Sequence, residues 1–470
     1  MSAFLPSIAE AAADIRSGAL TSAALTETCL DRIARYDSDI HAYHVVLADE
    51  ARAAARKADE ELAAGMDRGP LHGIPLALKD VFYWKGQKTT SNSRVMIDFE
   101  ADEDATAIVK LKEAGAVLLG QLNTYEFTFG GRPSYLPPFP PAMNPWNFAR
   151  ITGGSSSGSG AAVAAGLCLG ALGTDAGGSI RLPAAFNGIA GMKPTIGRVS
   201  GFGDMPLTYS FDCVGPMAWT THDCALMLQA IAGYDPRDPG SGKVPVPDYV
   251  AGIEDGVAGL KIGVIRHFYT DDFASPLDIV RAIDGVGQTL SGLGAKVTEV
   301  SVSPLIDWHA VGRVLVPAEA YAIHEERLQT QWETYGKLAR NRLMLGGLFR
   351  AVDYIQAQRR RGELLAEMNA VLEDCDVVIT TGTLTPTPPF DDSEPFPFID
   401  VPTIPIPFNL TGHPCHVVRA GFGDDGMPIG AQIAGRHWDE ATVLRVSHAF
   451  EMAAGLLDRA PEIGGPGGGQ

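Results

Sequence analysis

The first part of the chain places polar capping residues ahead of apolar positions at helical spacing. Ser7 and Glu10 have the spacing of a capping box, and Thr21 is placed to begin a second helix. An alanine-rich segment that starts near Ala48 predicts a third helix. We therefore expect residues 1–66 to form an N-terminal helical layer within the same domain as the rest.

Beyond this layer, strand and helix patterns alternate. Residues 71–82 (LHGIPLALKDVF) predict a buried strand that contains one lysine, Lys79. By itself this stretch favours a lysine whose amine reaches solvent. Residues 106–115 predict an amphipathic helix, and residues 116–120 predict another buried strand.

This alternation predicts an α/β fold, a single large domain with a central mixed β-sheet covered by helices on both faces. The domain is expected to span residues 67–458, with a largely helical part from about 278 to 372. The glycine-rich residues 459–470 are expected to be a disordered tail.

Bulk properties narrow the function classes. The net charge of −19 offers little to a nucleic acid, and the N-terminus lacks the pattern of a signal peptide. The most apolar run, residues 161–173, is too short to span a bilayer. The six cysteines are scattered without a CxxC pair, which is typical of free thiols in a reducing compartment. We expect a cytoplasmic protein that binds neither nucleic acid nor membrane.

Residues 152–200 contain two glycine–serine clusters and almost no charge. The first, residues 154–158, fits the G-x-S-x-G pattern, but the segment before it is a poor strand. The same cluster is not followed by the lysine that a phosphate-binding loop requires. The short motif HPCH at residues 413–416 has no accepted metal-ligand spacing. We expect no metal and no cofactor.

In combination, these segments resemble the amidase signature family of serine hydrolases. The resemblance rests on LHGIPLALKD, NPW, GGSSSGSGAAVAAG, GTDAGGSIRLPAAFNGIAGMKPTIGRVS, PFNLTGHP and DGMPIGAQIAG, and it extends from Leu71 to Gly435. Members of this family use a Ser–Ser–Lys triad in which the central serine follows an unusual cis peptide. The resemblance implies that Ser179 is the nucleophile, Ser155 the bridging serine and Lys79 the base.

The chemistry of these residue types agrees with that assignment. A serine hydroxyl is a weak nucleophile until a base accepts its proton. A lysine can be that base when desolvation lowers its pKa towards the working pH, and Lys79 stands in an apolar run. A second hydroxyl, on Ser155, can relay the proton because it both donates and accepts.

The second cluster also predicts an oxyanion hole. Consecutive backbone amides of Ala176, Gly177, Gly178 and Ser179 can converge because the glycines carry no Cβ.

Other residues are expected to support or complete the site. We expect Asp175 and Arg181 to brace the loop that carries Ser179, and Ser156 to support the first cluster. The resemblance further implies that Thr128 and Ser155 contact the substrate.

The leading hypothesis is a serine amidohydrolase that cleaves a C–N bond through an acyl-enzyme on Ser179. Proline- and aromatic-rich segments at residues 133–141, 202–209 and 386–407 are candidate pocket walls, which favours a small or medium apolar or aryl substrate. The family's carbamate (urethane) and ester hydrolases use the same triad, so these activities remain alternatives. A homodimer is also possible.

An alternative of another class is the amidase-like subunit of a tRNA-dependent amidotransferase. Such subunits usually carry glutamine where this chain has Leu182, and a Tyr-Gly-Leu type sequence at Gly201–Gly203. Copurification of a partner protein and glutamine-dependent transfer would support it. A catalytically silent binding protein of the same fold is a third alternative.

Overall fold

The helices of the N-terminal layer begin where their caps predict. In the computed structural model, which describes residues 5–130, 136–390 and 402–463, Ser7 and Glu10 form the expected capping box. The side chain of Thr21 caps the second helix by accepting from the Ala24 amide. Fourteen α-helices lie in the described residues: α1 Ile8–Ser17, α2 Ser22–Ile40, α3 Ala48–Ala63, α4 Thr106–Glu113, α5 Ser157–Ala164, α6 Arg181–Asn187, α7 Thr221–Ile231, α8 His267–Thr270, α9 Leu277–Gly292, α10 Leu305–Gln331, α11 Lys337–Gly346, α12 Ala351–Asp374, α13 Ile406–Leu410 and α14 Glu440–Ala454.

One mixed sheet of 11 strands runs through the described part of the domain, in the order β1-β3-β2-β4-β6-β5-β10-β11-β9-β7-β8. Helices flank this sheet, so the predicted single α/β domain with a helix-covered mixed sheet is confirmed. The strands are β1 Tyr43–Val46, β2 Pro75–Lys79, β3 Val117–Leu122, β4 Gly170–Thr174, β5 Ala190–Lys193, β6 Val214–Ala218, β7 Lys261–Val264, β8 Lys296–Glu299, β9 Val377–Thr381, β10 Cys415–Phe422 and β11 Pro428–Gly435.

The arrangement of β2 and β4 places the site. These strands are parallel neighbours, with Leu78 in register with Leu172, and every residue of both is buried. Because parallel strands end at the same edge of a sheet, Lys79 at the end of β2 lies next to Thr174 at the end of β4.

The segment between the two glycine–serine clusters forms a buried helix and a buried strand, as predicted. All eight residues of α5 are buried, and β4 follows. Small residues are required because a Cβ at Gly158 would lie 2.4 Å from the Ala42 carbonyl oxygen. The helix therefore packs closely enough to hold the first cluster against the sheet.

The structure differs from the sequence-based expectation at one strand. Residues 278–372 contain most of α9 to α12, but β8 (Lys296–Glu299) lies among them. This edge strand is mostly exposed and pairs in parallel with β7 on one side, so its sequence lacks a buried face.

The N-terminal segment contributes β1 to the sheet as well as its three helices. Of the predicted tail, residues 464–470 lie outside the described residues. All six cysteines are buried free thiols, as the scattered pattern predicts. Within the three described ranges, no helix combines the length and apolar character needed to cross a membrane.

Candidate active site

Lys79 is completely buried and directed at the predicted bridging serine. Its Nζ donates to Ser155 Oγ at 2.7 Å and to Thr174 Oγ1 at 2.8 Å. The expectation that the amine reaches solvent is therefore wrong, because Lys79 ends the buried strand β2 and its amine is directed at Ser155 and Thr174. Burial lowers the pKa of Lys79 to about 7, and the charges of Asp212 and other nearby carboxylates oppose that shift.

Ser155 is held through its backbone. Its carbonyl accepts hydrogen bonds from Thr124 Oγ1 at 3.0 Å and from the Tyr125 amide at 3.1 Å. The Gly154–Ser155 peptide is cis, as the family resemblance implies. A Cβ at Gly154 would lie 2.3 Å from the Tyr125 ring, so glycine is required there for this packing.

Ser156 joins the two clusters. Its amide donates to the Ser179 carbonyl at 3.2 Å, and its hydroxyl donates to the Thr174 carbonyl at 3.3 Å. Ser179 itself is half-buried and lines the same cavity as Ser155. The fold thus brings Lys79, Ser155 and Ser179 into one region from three separate segments.

Asp175 and Arg181, the pair expected to brace the Ser179 loop, form a buried ion pair next to it. Asp175 accepts from Arg181 Nε at 3.0 Å and from the Asn409 amide group at 2.8 Å, and both charged side chains are fully buried. Arg181 also donates to Gln432 Oε1 and to the Pro405 carbonyl, each at 2.8 Å.

The charges of this pair stabilise each other. Burial alone would raise the pKa of Asp175, but the Arg181 guanidinium and the Asn409 hydrogen bond hold it below its usual range. Burial alone would lower the pKa of Arg181, but Asp175 raises it above the usual value. Both groups are therefore ionised at neutral pH.

One predicted oxyanion donor points elsewhere. The Gly178 amide donates to Asp175 Oδ1 at 2.7 Å, so it belongs to the brace and not to the hole. Its φ of +110° turns the peptide in that direction. The amides of Ala176, Gly177 and Ser179 remain the candidate oxyanion donors.

Arg181→Ala is expected to lower the free energy of unfolding by about 3–5 kcal/mol, because it leaves the buried Asp175 carboxylate without its cation. The loss should appear as a lower denaturation midpoint together with a slower hydrolytic rate. Arg198→Ala is the matched control, since Arg198 forms an equally buried pair with Glu440 at 3.1 Å. That variant should lose stability but keep its rate per folded molecule; equal loss of rate in both variants would contradict a role in bracing the loop.

A cavity of about 650 Å³ opens above the serines. The predicted wall at residues 386–407 contributes Pro386–Pro389 and Pro402–Ile406, while residues 391–401 lie outside the described residues. From the predicted wall at 202–209, Leu207 lines this cavity. From the predicted wall at 133–141, residues 136 and 139–141 line a separate small cavity, and residues 133–135 lie outside the described residues.

The cavity is less uniformly apolar than the sequence suggests. Arg150, His309, Arg313 and Arg342 also line it. Arg313 Nε lies 3.1 Å from His309 Nε2, and Arg342 donates to the Phe129 carbonyl at 3.3 Å. Burial lowers the pKa of Arg313 to about 9, with a further contribution from the Arg342 charge. The proline walls fit an apolar group, but the cavity also presents positive charge.

Thr128 lies in the cavity wall, where the resemblance implies a substrate contact. Its φ is +57° and follows a φ of +47° at Phe127. Among the residues that the structure describes, Thr128 Oγ1 has no hydrogen-bond partner although it is buried. The hydroxyl oxygen is therefore enclosed by the protein, and other atoms of Thr128 line the cavity wall.

Sequence reasoning missed several residues of the site. Thr174 precedes Asp175 in the GTD motif, and its hydroxyl contacts the lysine. Asn409 and Gln432 lie in motifs that support the resemblance, yet their contact with Asp175 and Arg181 requires the fold. The basic side chains His309, Arg313 and Arg342 belong to α10 and α11 and carry no signal in the sequence.

A buried lysine hydrogen-bonded to a serine, with a second serine open to a cavity, defines a class of hydrolase that does not use histidine as its base. The whole-chain comparison narrows this class. The Amidase family model matches residues 24–444, so the chain belongs to the amidase family, the amidase signature enzymes. The resemblance predicted from the motifs is therefore confirmed, and the protein is a hydrolase of the family that acts on C–N bonds.

Three relatives show how far the similarity extends. The A subunit of the glutamyl-tRNA(Gln) amidotransferase of Geobacter metallireducens is 40% identical over 92% of this chain and 94% of its own. The solved structure of the corresponding Thermotoga maritima protein has a TM-score of 0.81 and 30% identity, and it covers 97% of this chain and 98% of that one. A third relative is the solved structure of an inhibitor-bound vestigial protein complex linked to the evolutionary origins of an s-triazine catabolic enzyme. It has a TM-score of 0.89 and 31% identity, and it covers 96% of this chain and 99% of that one.

These relatives overturn one prediction. The expectation of a small-molecule substrate and no nucleic acid is wrong, because these relatives are A subunits of glutamyl-tRNA(Gln) amidotransferases. The physical reason is that the net charge of −19 describes one whole chain. It does not describe a local surface, nor the partner proteins of a complex.

Proposed function

We propose that this chain is the amide-hydrolysing subunit of a tRNA-dependent amidotransferase. The observation that supports it best is 37–40% identity to the A subunits of glutamyl-tRNA(Gln) amidotransferases across 92–98% of the chain. In this role the subunit releases the amide nitrogen of a donor such as glutamine. Partner subunits then use that nitrogen on a tRNA-bound glutamyl group.

The proposed first step is acylation of Ser179. Its Oγ attacks the carbonyl carbon of the amide while its proton passes to Ser155 Oγ, and the Ser155 proton passes to the neutral amine of Lys79. The 2.7 Å distance between Lys79 Nζ and Ser155 Oγ supports this relay. The pKa of Lys79, lowered by burial to about 7, leaves a large share of the amine neutral at physiological pH.

The negative charge of the tetrahedral intermediate requires donors that are already in place. The amides of Ala176, Gly177 and Ser179 are proposed to supply them. Removing one such donor typically costs about 3–4 kcal/mol in transition-state stabilisation. The Asp175–Arg181 brace fixes the loop, so these amides need not reorient during the reaction.

The same relay completes the reaction in reverse. The proton on Lys79 returns through Ser155 to the leaving nitrogen, so the C–N bond breaks and ammonia departs. A water molecule then attacks the acyl group on Ser179, with Lys79 again accepting the proton through Ser155. The ester bond to Ser179 Oγ breaks, the carboxylic acid leaves, and the proton on Lys79 returns through Ser155 to Ser179 Oγ. Each cycle restores both serines and the neutral lysine.

The two departures from the amidotransferase pattern differ in position. Leu182 lines the cavity, so it changes the wall that the donor meets. Phe202 packs instead under the Arg237 guanidinium, 4.3 Å from the ring centroid, and is not among the residues that line the cavity. We therefore expect the departure at Leu182 to affect the choice of amide donor.

The proposal is tested with the tagged full-length chain purified from cells that express it with its genomic neighbours. We expect partner subunits to copurify, and the complex to convert glutamyl-tRNA(Gln) to glutaminyl-tRNA(Gln) when glutamine is supplied. Addition of glutamyl-tRNA should raise ammonia release from glutamine. A complex carrying Ser179→Ala should lose transfer from glutamine.

Two results would contradict the proposal. One is a chain that purifies alone and hydrolyses aryl amides, carbamates or esters at a rate indifferent to glutamyl-tRNA. The other is a complex that transfers from glutamine equally well with Ser179→Ala. The first result would indicate a hydrolase of the family that acts without partner subunits.

A further inference from the structure

Asp80 directly follows the catalytic lysine but takes no part in the proton relay. Its side chain is fully buried. The carboxylate accepts from the Thr90 amide at 3.0 Å, from the Thr90 hydroxyl, from the Asn92 amide at 3.4 Å and from the Gln121 side-chain amide at 3.5 Å. Neighbouring residues at a strand end point to opposite sides, so Lys79 faces the serines while Asp80 faces residues 90–92.

Residues 90–92 have a conformation that needs such support. Ser91 and Asn92 have φ values of +50° and +48°, although neither is glycine. Consecutive non-glycine residues in this region are uncommon and persist where surrounding contacts impose them. The carboxylate of Asp80 supplies these contacts through the amides of Thr90 and Asn92.

A second segment with the same unusual conformation lies against the first. Phe127 and Thr128 have φ values of +47° and +57°, and the Phe127 amide donates to the Ser91 carbonyl at 2.9 Å. The Phe127 ring also packs against His324, with ring centroids 4.4 Å apart. Thr128 then lines the cavity that contains Ser155 and Ser179.

We propose that Asp80 is a positioning residue that fixes the substrate-binding wall at Phe127–Thr128 through residues 90–92. The consecutive residues Lys79 and Asp80 then have different functions in the site. Lys79 sets the reactivity of Ser179, and Asp80 sets the shape of the wall that a bound group meets. The inference rests on the part of the proposed function that makes Ser179 the nucleophile, and it is independent of the amidotransferase partner.

The proposal predicts a defect in binding that spares the chemistry. Asp80→Asn keeps the size of the side chain but replaces one accepting oxygen with an amide that cannot accept from Thr90 and Asn92. The full-length variant is treated at about pH 8 with two fluorophosphonates, one carrying only ethyl groups and one carrying a long alkyl chain that fills the cavity. Burial raises the pKa of Asp80 to about 7, so this pH keeps the parent carboxylate ionised.

We expect the inactivation rate with the ethyl probe to stay within about twofold of the parent, and KI for the long-chain probe to rise about tenfold with kinact unchanged. Thr90→Ser retains the hydroxyl and should behave like the parent. Asp223→Asn is the matched control, because Asp223 is a buried carboxylate that holds the Ala9 amide at 3.1 Å far along the chain. It should change neither probe's kinetics.

Equal slowing of both probes, or an unchanged KI for the long-chain probe in folded Asp80→Asn, would overturn the proposal. If Asp80→Asn fails to fold, Thr90→Val removes the hydroxyl bond to the carboxylate and carries the same expected split between KI and kinact. A parent protein that reacts with neither probe would instead refute Ser179 as nucleophile, so the two failures are distinct.

Discussion

Ser179→Ala is expected to lower kcat/KM for ammonia release from an amide by a factor of about 10⁴ to 10⁶. Without the hydroxyl no acyl-enzyme forms, and the Lys79–Ser155 pair has no nucleophile to deprotonate. The oxyanion amides and the cavity remain, so a small residual rate over the uncatalysed reaction is expected. Ammonia release from glutamine by the purified complex measures the effect, and mass spectrometry of the quenched parent should show the acyl adduct on Ser179.

Ser159→Ala is the matched control for this substitution. Ser159 lies in α5, the helix that begins in the first glycine–serine cluster, and is fully buried, but its hydroxyl donates to the Leu172 carbonyl at 3.1 Å. We expect a rate within about tenfold of the parent, because the loss of one buried hydrogen bond is a stability effect of about 1 kcal/mol. A Ser179→Ala enzyme as active as Ser159→Ala would eliminate the acyl-enzyme mechanism.

Part of the site could be predicted because its information is local. The motifs that resemble the amidase signature family imply Ser155, Ser179 and Lys79 as site residues without any knowledge of tertiary contacts, whereas the apolar strand alone favours a lysine that reaches solvent. The caps at Ser7 and Thr21 are equally local, since each needs only a few residues of sequence. In the structure Lys79 donates to Ser155 Oγ, and Ser155 and Ser179 line one cavity, while their catalytic roles stay a prediction.

Other features depend on contacts between distant segments. Thr174 contacts Lys79 because β2 and β4 are parallel neighbours in the sheet. The sequence of neither strand indicates that the two strands pair. In the sequence Arg313 and Arg342 are typical charged residues of helices, yet the packing of α10 and α11 places both in the wall of the cavity. The Gly178 amide donates to Asp175 in a loop where Gly178 has a φ of +110°, and the sequence does not specify that backbone conformation.

The same distinction explains the error about partners. A net charge of −19 is a property of composition, and binding to tRNA depends on local fields and on which protein of a complex holds the RNA. Composition also favoured an apolar substrate, because the proline-rich segments are prominent in sequence while the basic side chains of the cavity are scattered. Neither tRNA binding nor the polarity of the cavity can therefore be read from the summed composition of the chain.

The pH dependence of the reaction should follow the protonation of Lys79. Only the neutral amine can accept the Ser155 proton, and burial sets the pKa of Lys79 at about 7. In the parent, log kcat/KM is therefore expected to rise with pH up to about 7 and then level off. Asp212→Asn removes a negative charge that opposes the lowering of this pKa, so the rise should move to lower pH. A rise that stays in place, or moves to higher pH, would exclude Lys79 as the titrating base.

Lys79→Met is expected to lower kcat/KM by a factor of about 10³ to 10⁴ and to abolish this rise with pH, because no base remains for Ser155.

The same substitution should raise the stability of the fold at neutral pH although it lowers the rate. The pKa of Lys79 is about 7 in the folded state and 10.5 as the ordinary value, so between these pH values the unfolded chain binds more protons and parent stability increases with pH. Methionine removes that dependence, and Lys79→Met should be more stable than the parent at pH near 7, by a margin that shrinks towards pH 10. Denaturant midpoints measured at several pH values test this. A variant that is less stable at neutral pH than at alkaline pH, as the parent is, would show that the buried amine is not held neutral by the fold.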